Sequence, residues 1–552
     1  MAANLSDPAQ LSAVLQMLSQ PDTQVIRRAE KMLTKWLKDP AAIAALMQQI
    51  ASSEDVNVRH HAALLLKKKI IVLYGKLNPI HQSELRAALL NTLLNEPVKV
   101  VKTALAGVVA RLSKSVLSMG DWGELFALLM QLSQDPNELM RCLCFNLIGQ
   151  LAEHVSDHLK AHTSTLAQMF IAGCRDPSTA VCVEALSCTA NYITSLQEEP
   201  EIMQLQGVIL PMLEVMSSCL MRGEEEVVTE GLEVIQDSCM MEQPLINEQI
   251  ENIVPFVVQI MQNTQYEDSL RQAAGQTLMN IIEYRPKSVA KKNLVAPILS
   301  VLVDMITKNE NVAGSLYVYA SQNQHLNDDD DDDESYSPGV EVQQLAQTCL
   351  DTMAISIPSK HFTQLALNLC AQCLDSPEAH RRKAGCAVLG VIAEGCCDVM
   401  KQTLSQILPR LLTSAQDPEF FVREAACFAL GQFSEHCQPE ILYFHQSVLP
   451  VIFAALEDPR PTVQGTSCYV LEMFCENLQP DTLRPFLGPL MMKLSQLLQS
   501  QQKNTQEMAL AALAATAVAA DVEFLPYVEV ECMHLNAATY VFYRESVIFW
   551  VR

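Results

Sequence analysis

Apolar residues recur along this chain at the spacing of a helix face rather than at the alternation of a strand. One stretch shows the pattern well, because its apolar residues fall three or four positions apart. They are Ala425, Ala426, Phe428, Ala429, Leu430 and Phe433. Glycine accounts for only 18 of 552 residues, and strong helix formers dominate the composition. The pattern predicts an all-α protein.

The helical stretches repeat with a fixed period. Pro377, Pro418 and Pro459 are 41 residues apart, and Arg382 and Arg423 follow at the same step. An aspartate before such a proline can cap a helix, and proline is well tolerated at the first helical position. Two helices in a unit of about 40 residues is the period of HEAT repeats.

The predicted fold is therefore an all-α, HEAT-repeat (armadillo-like) α-solenoid superhelix, since 552 residues are too many for one hydrophobic core. Repeats are predicted over 1–120, 121–312 and 340–520, with an acidic loop near 313–339 and an incomplete terminal repeat over 521–552. First helices are predicted to begin near residues 9, 41, 79, 120, 158, 201, 245, 287, 359, 398, 440 and 481.

The formal net charge is −25, and one run of carboxylates lies within the predicted loop. It consists of Asp328, Asp329, Asp330, Asp331, Asp332, Asp333 and Glu334. Such a run predicts a disordered loop that either keeps the chain soluble or attracts Lys/Arg-rich segments. The acidic balance favours basic protein partners and disfavours direct nucleic-acid binding. Since no run of about 18 apolar residues is evident, membrane insertion is not expected either.

Catalytic and metal-binding patterns are not evident in the sequence. There is no glycine-rich phosphate loop, nucleophile elbow or His-Glu-x-x-His helix, so we expect no enzyme activity, no cofactor and no metal. Cys370 and Cys373 form an isolated C-x-x-C within a Leu-rich helical pattern, which favours core packing over zinc or redox chemistry. The 18 cysteines are expected to be free thiols in a reducing compartment.

Two sets of charged residues are candidates for binding partners. Lys67, Lys68 and Lys69 form the main basic cluster, which suits an acidic protein, a nucleic acid or simply a solvated helix end. Glu435, Glu472 and Glu476 are expected on second helices, which line the concave face of a solenoid, where they would face basic cargo.

Several segments resemble the N-terminal half of importin-beta family nuclear transport receptors. Residues 21–30, followed by Leu33 and 37–40, resemble the amino-terminal signature of that family, and 58–68 resemble its second repeat. Residues 382–435 and the placement of the acidic loop resemble one subgroup of the family.

The resemblance implies an import receptor that shuttles between cytoplasm and nucleus as a monomer. It would bind basic cargo such as histones and ribosomal proteins, contact phenylalanine–glycine nucleoporins, and release cargo when Ran-GTP binds. The Ran-GTP region would be 1–120, with contacts near Arg28, Lys31, Lys67 and Lys68, while the acidic loop would couple Ran and cargo. Members of the family run to roughly twice this length. After Pro526 no full second helix is evident, and the chain ends in Phe549, Trp550 and Val551 without a polar capping repeat, so it is expected to end in mid-repeat.

Two alternatives remain open from the sequence. One is a HEAT-repeat scaffold, such as a regulatory phosphatase subunit, and the other is an acidic histone chaperone without transport activity. Deleting residues 328–334 separates the chaperone from the receptor, because only the chaperone would then lose its binding outright.

Overall fold

The structure, a computed structural model, describes residues 7–117, 122–196, 200–308, 344–500 and 502–527. These residues form α-helices joined by short turns and 3-10 segments, and no strand occurs among them. They belong to two compact units, Met1–Gln249 and Ile250–Arg552. The predicted all-α class is thereby confirmed for the described part of the chain.

The helices of the first unit pair along the chain. They are α1 Pro8–Met17, α2 Thr23–Trp36, α3 Ala41–Ser52, α4 Val56–Tyr74, α5 Pro79–Asn95, α6 Lys99–Leu117, α7 Gly123–Ser133, α8 Glu138–Leu159, α9 Thr163–Cys174, α10 Thr179–Ser195, α11 Ile209–Arg222 and α12 Glu225–Met240. The 3-10 segments Lys160–His162 and Pro200–Val208 lead into α9 and α11.

The second unit continues the same pattern. Its described helices are α13 Ile250–Gln262, α14 Asp268–Tyr284, α15 Pro286–Lys291, α16 Val295–Lys308, α17 Leu345–Ser356, α18 Ser359–Leu374, α19 Ala379–Val391, α20 Ala393–Ser414, α21 Phe420–His436, α22 His445–Leu456, α23 Pro461–Cys475, α24 Pro480–Leu498 and α25 Lys503–Ala520. The 3-10 segments Glu440–Phe444 and Asp521–Tyr527 precede α22 and follow α25. Each predicted first helix begins within five residues of a helical segment or helix seen here.

Each unit is built from two helical layers. The second helix of one repeat packs on the second helix of the next, as in α4, α6, α8 and α10, and again in α19, α21, α23 and α25. The first helix packs mainly against the second helix of its own repeat. This is the arrangement of a HEAT-repeat α-solenoid, and we call the solvent-exposed face of its second helices the second-helix surface.

An arginine ladder explains the 41-residue step. The guanidinium groups of Arg382 and Arg423 each bind an aspartate 35 residues ahead, Asp417 and Asp458, through two hydrogen bonds of 2.6–3.0 Å. Each guanidinium also donates to two backbone carbonyls five and six residues behind it. Asp417 lies six residues before Arg423, and Asp458 lies six residues before Gln464, so the 35-residue and 6-residue steps together make one repeat of 41.

The predicted acidic loop and terminal repeat lie largely outside the described residues. Helix α16 ends at Lys308 and α17 begins at Leu345, so residues 309–343, with the whole carboxylate run, belong to one repeat between its two helices. The two helices contact each other across this insertion. Residues 528–552 are likewise not described, and the division of the repeats into five segments stays a prediction.

Two helical stretches, Pro200–Arg222 and Lys503–Tyr527, are long and apolar enough to cross a membrane by length and composition alone. The sequence inspection missed them. About half of the apolar 18-residue window in each stretch is buried inside the protein, 56% and 50% respectively, and core helices of soluble proteins pass the same test. No disulfide joins any of the 17 cysteines within the described ranges, and both Cys370 and Cys373 are buried as expected for core residues.

Candidate partner-binding surface

The charge of the second helices reverses within the first unit. Helices α2, α4 and α6 carry twelve lysines and arginines and a single carboxylate, Glu30. Helices α8, α10 and α12 carry nine carboxylates and a single cation, Arg141. A strongly acidic chain therefore concentrates nearly a third of its 38 cations on three neighbouring helices.

The predicted Ran contacts lie within this basic region, but they differ in exposure. Arg28, Lys31 and Lys68 are exposed on α2 and α4. Lys67 is half-buried and lies across the next second helix, because its Nζ is 2.7 Å from the point where a Cβ on Gly107 would lie. Only glycine at position 107 lets the ammonium group approach the α6 backbone so closely.

Four further cations on α6 belong to the same basic region and were missed by the sequence reasoning. They are Lys99, Lys102, Arg111 and Lys114. The signal was present, since this 19-residue helix contains four cations and no carboxylate. It was overlooked because the cations are spread over the helix rather than clustered like Lys67–Lys69.

The three glutamates predicted to bind cargo lie on two neighbouring second helices. Glu435 lies near the end of α21, while Glu472 and Glu476 lie at the end of α23, the neighbouring second helix. The Tyr469 hydroxyl donates a 3.0 Å hydrogen bond to Glu435 Oε2. The Tyr469 ring packs against Gly431, where a Cβ would lie 2.2 Å from ring atom Cε1.

The electrostatics of this cluster favour a cationic partner. Burial, together with the negative charges of Glu435 and Glu476, raises the pKa of Glu472 to about 6. A bound ammonium or guanidinium group would lower that pKa again, because it stabilises the charged carboxylate. The sequence also places Glu394, Glu435 and Glu476 at steps of 41 residues, and Glu394 is exposed at the start of α20.

No group of three or more histidine, cysteine or carboxylate side chains suited to a metal ion occurs among the described residues. The acidic run Asp328–Glu334 lies outside them, so the structure does not locate it.

Models of known families match most of the repeat region. Residues 29–95 match the importin-beta N-terminal domain, 97–256 match IPO5-like TPR repeats, and 379–433 and 421–474 match the HEAT-like repeat. These matches support an importin-beta family karyopherin. Members of this family are transport receptors and not enzymes.

Within this family, the chain is similar to importin-4, the subgroup that residues 382–435 resemble. It is 28% identical to mouse importin-4 over 415 residues, which cover 74% of this chain and 37% of that protein. It is 26% identical to the probable importin subunit beta-4 of Schizosaccharomyces pombe, over 72% of this chain and 35% of the relative. The chain thus spans little more than a third of these relatives.

Solved structures of Kap121p share the fold. The structure of Kap121p alone has a TM-score of 0.76 and 23% identity, and covers 95% of this chain and 50% of Kap121p. The structure of Kap121p bound to RanGTP has a TM-score of 0.73 with 23% identity, and covers 96% of this chain and 50% of that chain. At this identity, the similarity establishes the HEAT-repeat solenoid.

Proposed function

We propose that the chain is the N-terminal part of a nuclear import receptor that moves between cytoplasm and nucleus and exchanges basic cargo for Ran-GTP. The observation that carries this proposal is the presence of two second-helix surfaces of opposite charge. One is basic, on α2, α4 and α6, and the other is the carboxylate cluster on α21 and α23. Partners of opposite charge are thereby given separate sites on one chain.

The carboxylate cluster is the proposed cargo site. Packed helices lie about 8–10 Å apart, so carboxylates that recur once per repeat are spaced by about that distance. An extended peptide advances about 3.3 Å per residue, so every third side chain keeps step with the repeats. The site is therefore suited to segments with a lysine at every third position, and the basic tails of histones and ribosomal proteins are candidate sources.

The basic second helices are the proposed Ran-GTP site, with Arg28, Lys31 and Lys68 as its exposed contacts. Support comes from the family and from the fact that Kap121p, a structural neighbour, has been solved with RanGTP. The acidic loop at 328–334 would raise the rate at which basic cargo is captured, since clustered charges steer encounter more than they add affinity.

Contact with phenylalanine–glycine nucleoporins is proposed for the opposite layer. Ile80 and Met492, on the first helices α5 and α24, are 70% and 66% exposed. Met221, at the end of α11, is 81% exposed. These exposed apolar side chains are the proposed contact points for weak, transient binding of aromatic repeats, and the support for this proposal is the family resemblance.

The test compares two multiple variants, each of which is expected to lose binding to one partner and keep binding to the other. The triple variant Glu435→Gln, Glu472→Gln and Glu476→Gln neutralises the cargo site. It should bind a peptide with lysine at every third position about tenfold more weakly, while its Ran-GTP binding stays unchanged. Replacing Arg28, Lys31 and Lys68 by glutamate should weaken the binding of Ran-GTP by at least about tenfold and leave the binding of the peptide unchanged.

The matched controls are Asp268→Asn and Lys503→Glu, which change charges that are 75% and 89% exposed, on α14 and at the start of α25. Both controls should bind both partners normally. Deleting 328–334 distinguishes the alternatives: loss of all peptide binding would favour an acidic chaperone, whereas slower association with Ran-GTP binding intact supports the receptor. Unchanged peptide binding in the triple glutamine variant would contradict the proposed cargo site.

A further inference from the structure

A pocket opens on the second-helix surface at the point where its charge reverses. It lies among α6, α8 and α10 and has a volume of about 110 Å³. Leu139, Leu143 and Ala180 supply much of its apolar lining. Leu139 is 57% exposed, so an apolar side chain at the edge of the cavity is accessible to solvent.

One ion pair spans the pocket. Lys99 Nζ, on α6, lies 3.0 Å from Glu184 Oε1, on α10, so the pair passes over the intervening helix α8. Its hydrogen bond to Glu184 raises the pKa of Lys99. The second oxygen of Glu184 accepts a longer hydrogen bond of 3.5 Å from the Asn146 amide. The charge of Glu184 is therefore already balanced within the protein.

The charge of Lys102, the second lysine of the pocket, is not balanced by a direct partner of this kind. No ion pair or hydrogen bond joins the Lys102 ammonium group to another residue in the part of the chain that the structure describes; only its backbone N–H is engaged, with the Val98 carbonyl. Burial lowers the pKa of the Lys102 ammonium, and the Glu96 carboxylate offsets this effect in part. Glu96 itself is engaged by Arg59 through two hydrogen bonds of 3.0 and 3.1 Å. A partly desolvated cation thus faces an apolar cavity without a direct counterion.

The surroundings extend this preference for negative charge. Arg111 and Lys114 are exposed further along α6, and no ion pair engages either of them among the described residues. Lys67 reaches the same helix at Gly107. On the α6 side of the pocket, a carboxylate would therefore meet Lys102 beside an apolar cavity, with further cations along the same helix, while Glu184 on the α10 side is already paired with Lys99.

We propose that this pocket binds a segment of an acidic protein in which a carboxylate stands next to a bulky apolar side chain. The apolar side chain enters between Leu139, Leu143 and Ala180, and the carboxylate pairs with Lys102. The site differs from the carboxylate cluster in charge. It shares helix α6 with the basic region proposed for Ran-GTP, whereas the exposed contacts Arg28, Lys31 and Lys68 lie on α2 and α4. It does not depend on the cargo or Ran-GTP proposals.

The test uses labelled peptides and fluorescence anisotropy with the full chain at low salt. One probe is a decapeptide of aspartate and glutamate with a single central leucine, and its partner probe has alanine at that position. The leucine probe should bind at least about tenfold more tightly, because its side chain leaves water for the pocket. A DNA oligonucleotide of equal charge, which has no such side chain, should bind no better than the alanine probe.

Two variants assign the effect to the pocket. Leu139→Asn should reduce the difference between leucine and alanine probes to less than about threefold, whereas Leu365→Asn, at a leucine that is 44% exposed on α18, should leave it intact. Lys102→Gln should weaken the binding of both peptides, and Lys493→Gln on α24 should change the binding of neither. Thermal melting of each variant checks that it is folded.

Equal binding of the two probes would overturn the proposal, since it would show a general attraction to basic helices. Retention of the full leucine preference in Leu139→Asn, or tighter binding of DNA than of the leucine probe, would overturn it as well. A loss of leucine preference confined to Leu139→Asn, with normal melting, supports it.

Discussion

Arg423 contacts both a carboxylate and backbone carbonyls, and its ion pair with the carboxylate is largely shielded from solvent. Its side chain is 15% exposed and that of its partner Asp458 is 7% exposed. The guanidinium also donates to the carbonyls of Asp417 and Pro418 at 2.9 and 3.0 Å. At the equivalent place in the next repeat, Gln464 keeps a carbonyl bond of 2.8 Å, to Asp458 O. The ladder thus joins a turn of one repeat to a turn of the next.

We therefore predict that Arg423→Ala destabilises the protein by about 3 kcal/mol, because a buried carboxylate and two carbonyls lose their partner. Arg423→Gln should cost roughly 1 kcal/mol less, since glutamine can keep a carbonyl bond as Gln464 does. Arg175→Ala is the control, because Arg175 and Glu214 are 51% and 47% exposed and should contribute less than about 1 kcal/mol. Urea unfolding measures all three; equal costs for Arg423→Ala and Arg175→Ala would contradict the ladder's importance.

Glu424 predicts a pH dependence of stability. The residue is 5% exposed on α21, and burial raises its pKa to about 7. Below pH 4.5 the carboxyl group is protonated in both folded and unfolded chains and contributes nothing. As the pH rises from 4.5 to 7, the unfolded chain loses this proton first, so folding becomes less favourable.

Glu424→Gln should therefore stabilise the protein by roughly 3 kcal/mol at pH 8 and have little effect at pH 4. Thermal melting at the two pH values tests this expectation. Glu419→Gln, at the exposed residue before the same helix, should change stability by less than about 0.5 kcal/mol at both. A gain at pH 4 as large as that at pH 8 would show that proton binding is not the cause.

At the scale of helices, close contact between second helices depends on small residues. A Cβ at Gly431 on α21 would lie 2.2 Å from the ring of Tyr469 on α23. Gly431→Ala should therefore push the two helices apart and cost about 1–3 kcal/mol. Because Tyr469 would move, its hydrogen bond to Glu435 should also weaken, and with it the binding of lysine-rich peptides. Gly207→Ala is the control, since the nearest atom there lies at an ordinary 3.7 Å.

The helices themselves were predictable because their determinants are local. The step of 41 between Pro377, Pro418 and Pro459 comes from an Asp-Pro or Ser-Pro turn repeated in each unit, and it located Arg382 and Arg423 as equivalent positions. What those arginines bind was not predictable, since Asp417 and Asp458 lie 35 residues away and only packing brings them near.

The candidate site was predictable in the same limited sense. Spacing placed Glu435, Glu472 and Glu476 on neighbouring second helices, and the structure brings them into electrostatic contact. Helix periodicity could not show that Tyr469 binds Glu435, because that contact joins two repeats. For the same reason, it could not show that Lys67 lies over Gly107 instead of extending into solvent.

At the scale of the whole molecule, the arrangement gives opposite charges to opposite ends of the repeat sequence. The first three second helices are basic, while the carboxylate cluster lies in the other compact unit. Two partners on separate sites can affect each other only if each prefers a different conformation of the chain. Repeat arrays allow this, since small adjustments at successive helix interfaces add up along the array.

We predict that Ran-GTP and a lysine-rich peptide weaken each other's binding by the same factor, in the range of about 5 to 150, because linkage between two sites is reciprocal. Anisotropy would measure the peptide's dissociation constant with and without saturating Ran-GTP, and then the reverse. X-ray scattering should differ between the two complexes, since each partner selects its own curvature. In the triple glutamine variant of Glu435, Glu472 and Glu476, the peptide should no longer affect Ran-GTP. Independent binding together with identical scattering profiles would rule out exchange through a change of curvature and leave two uncoupled sites.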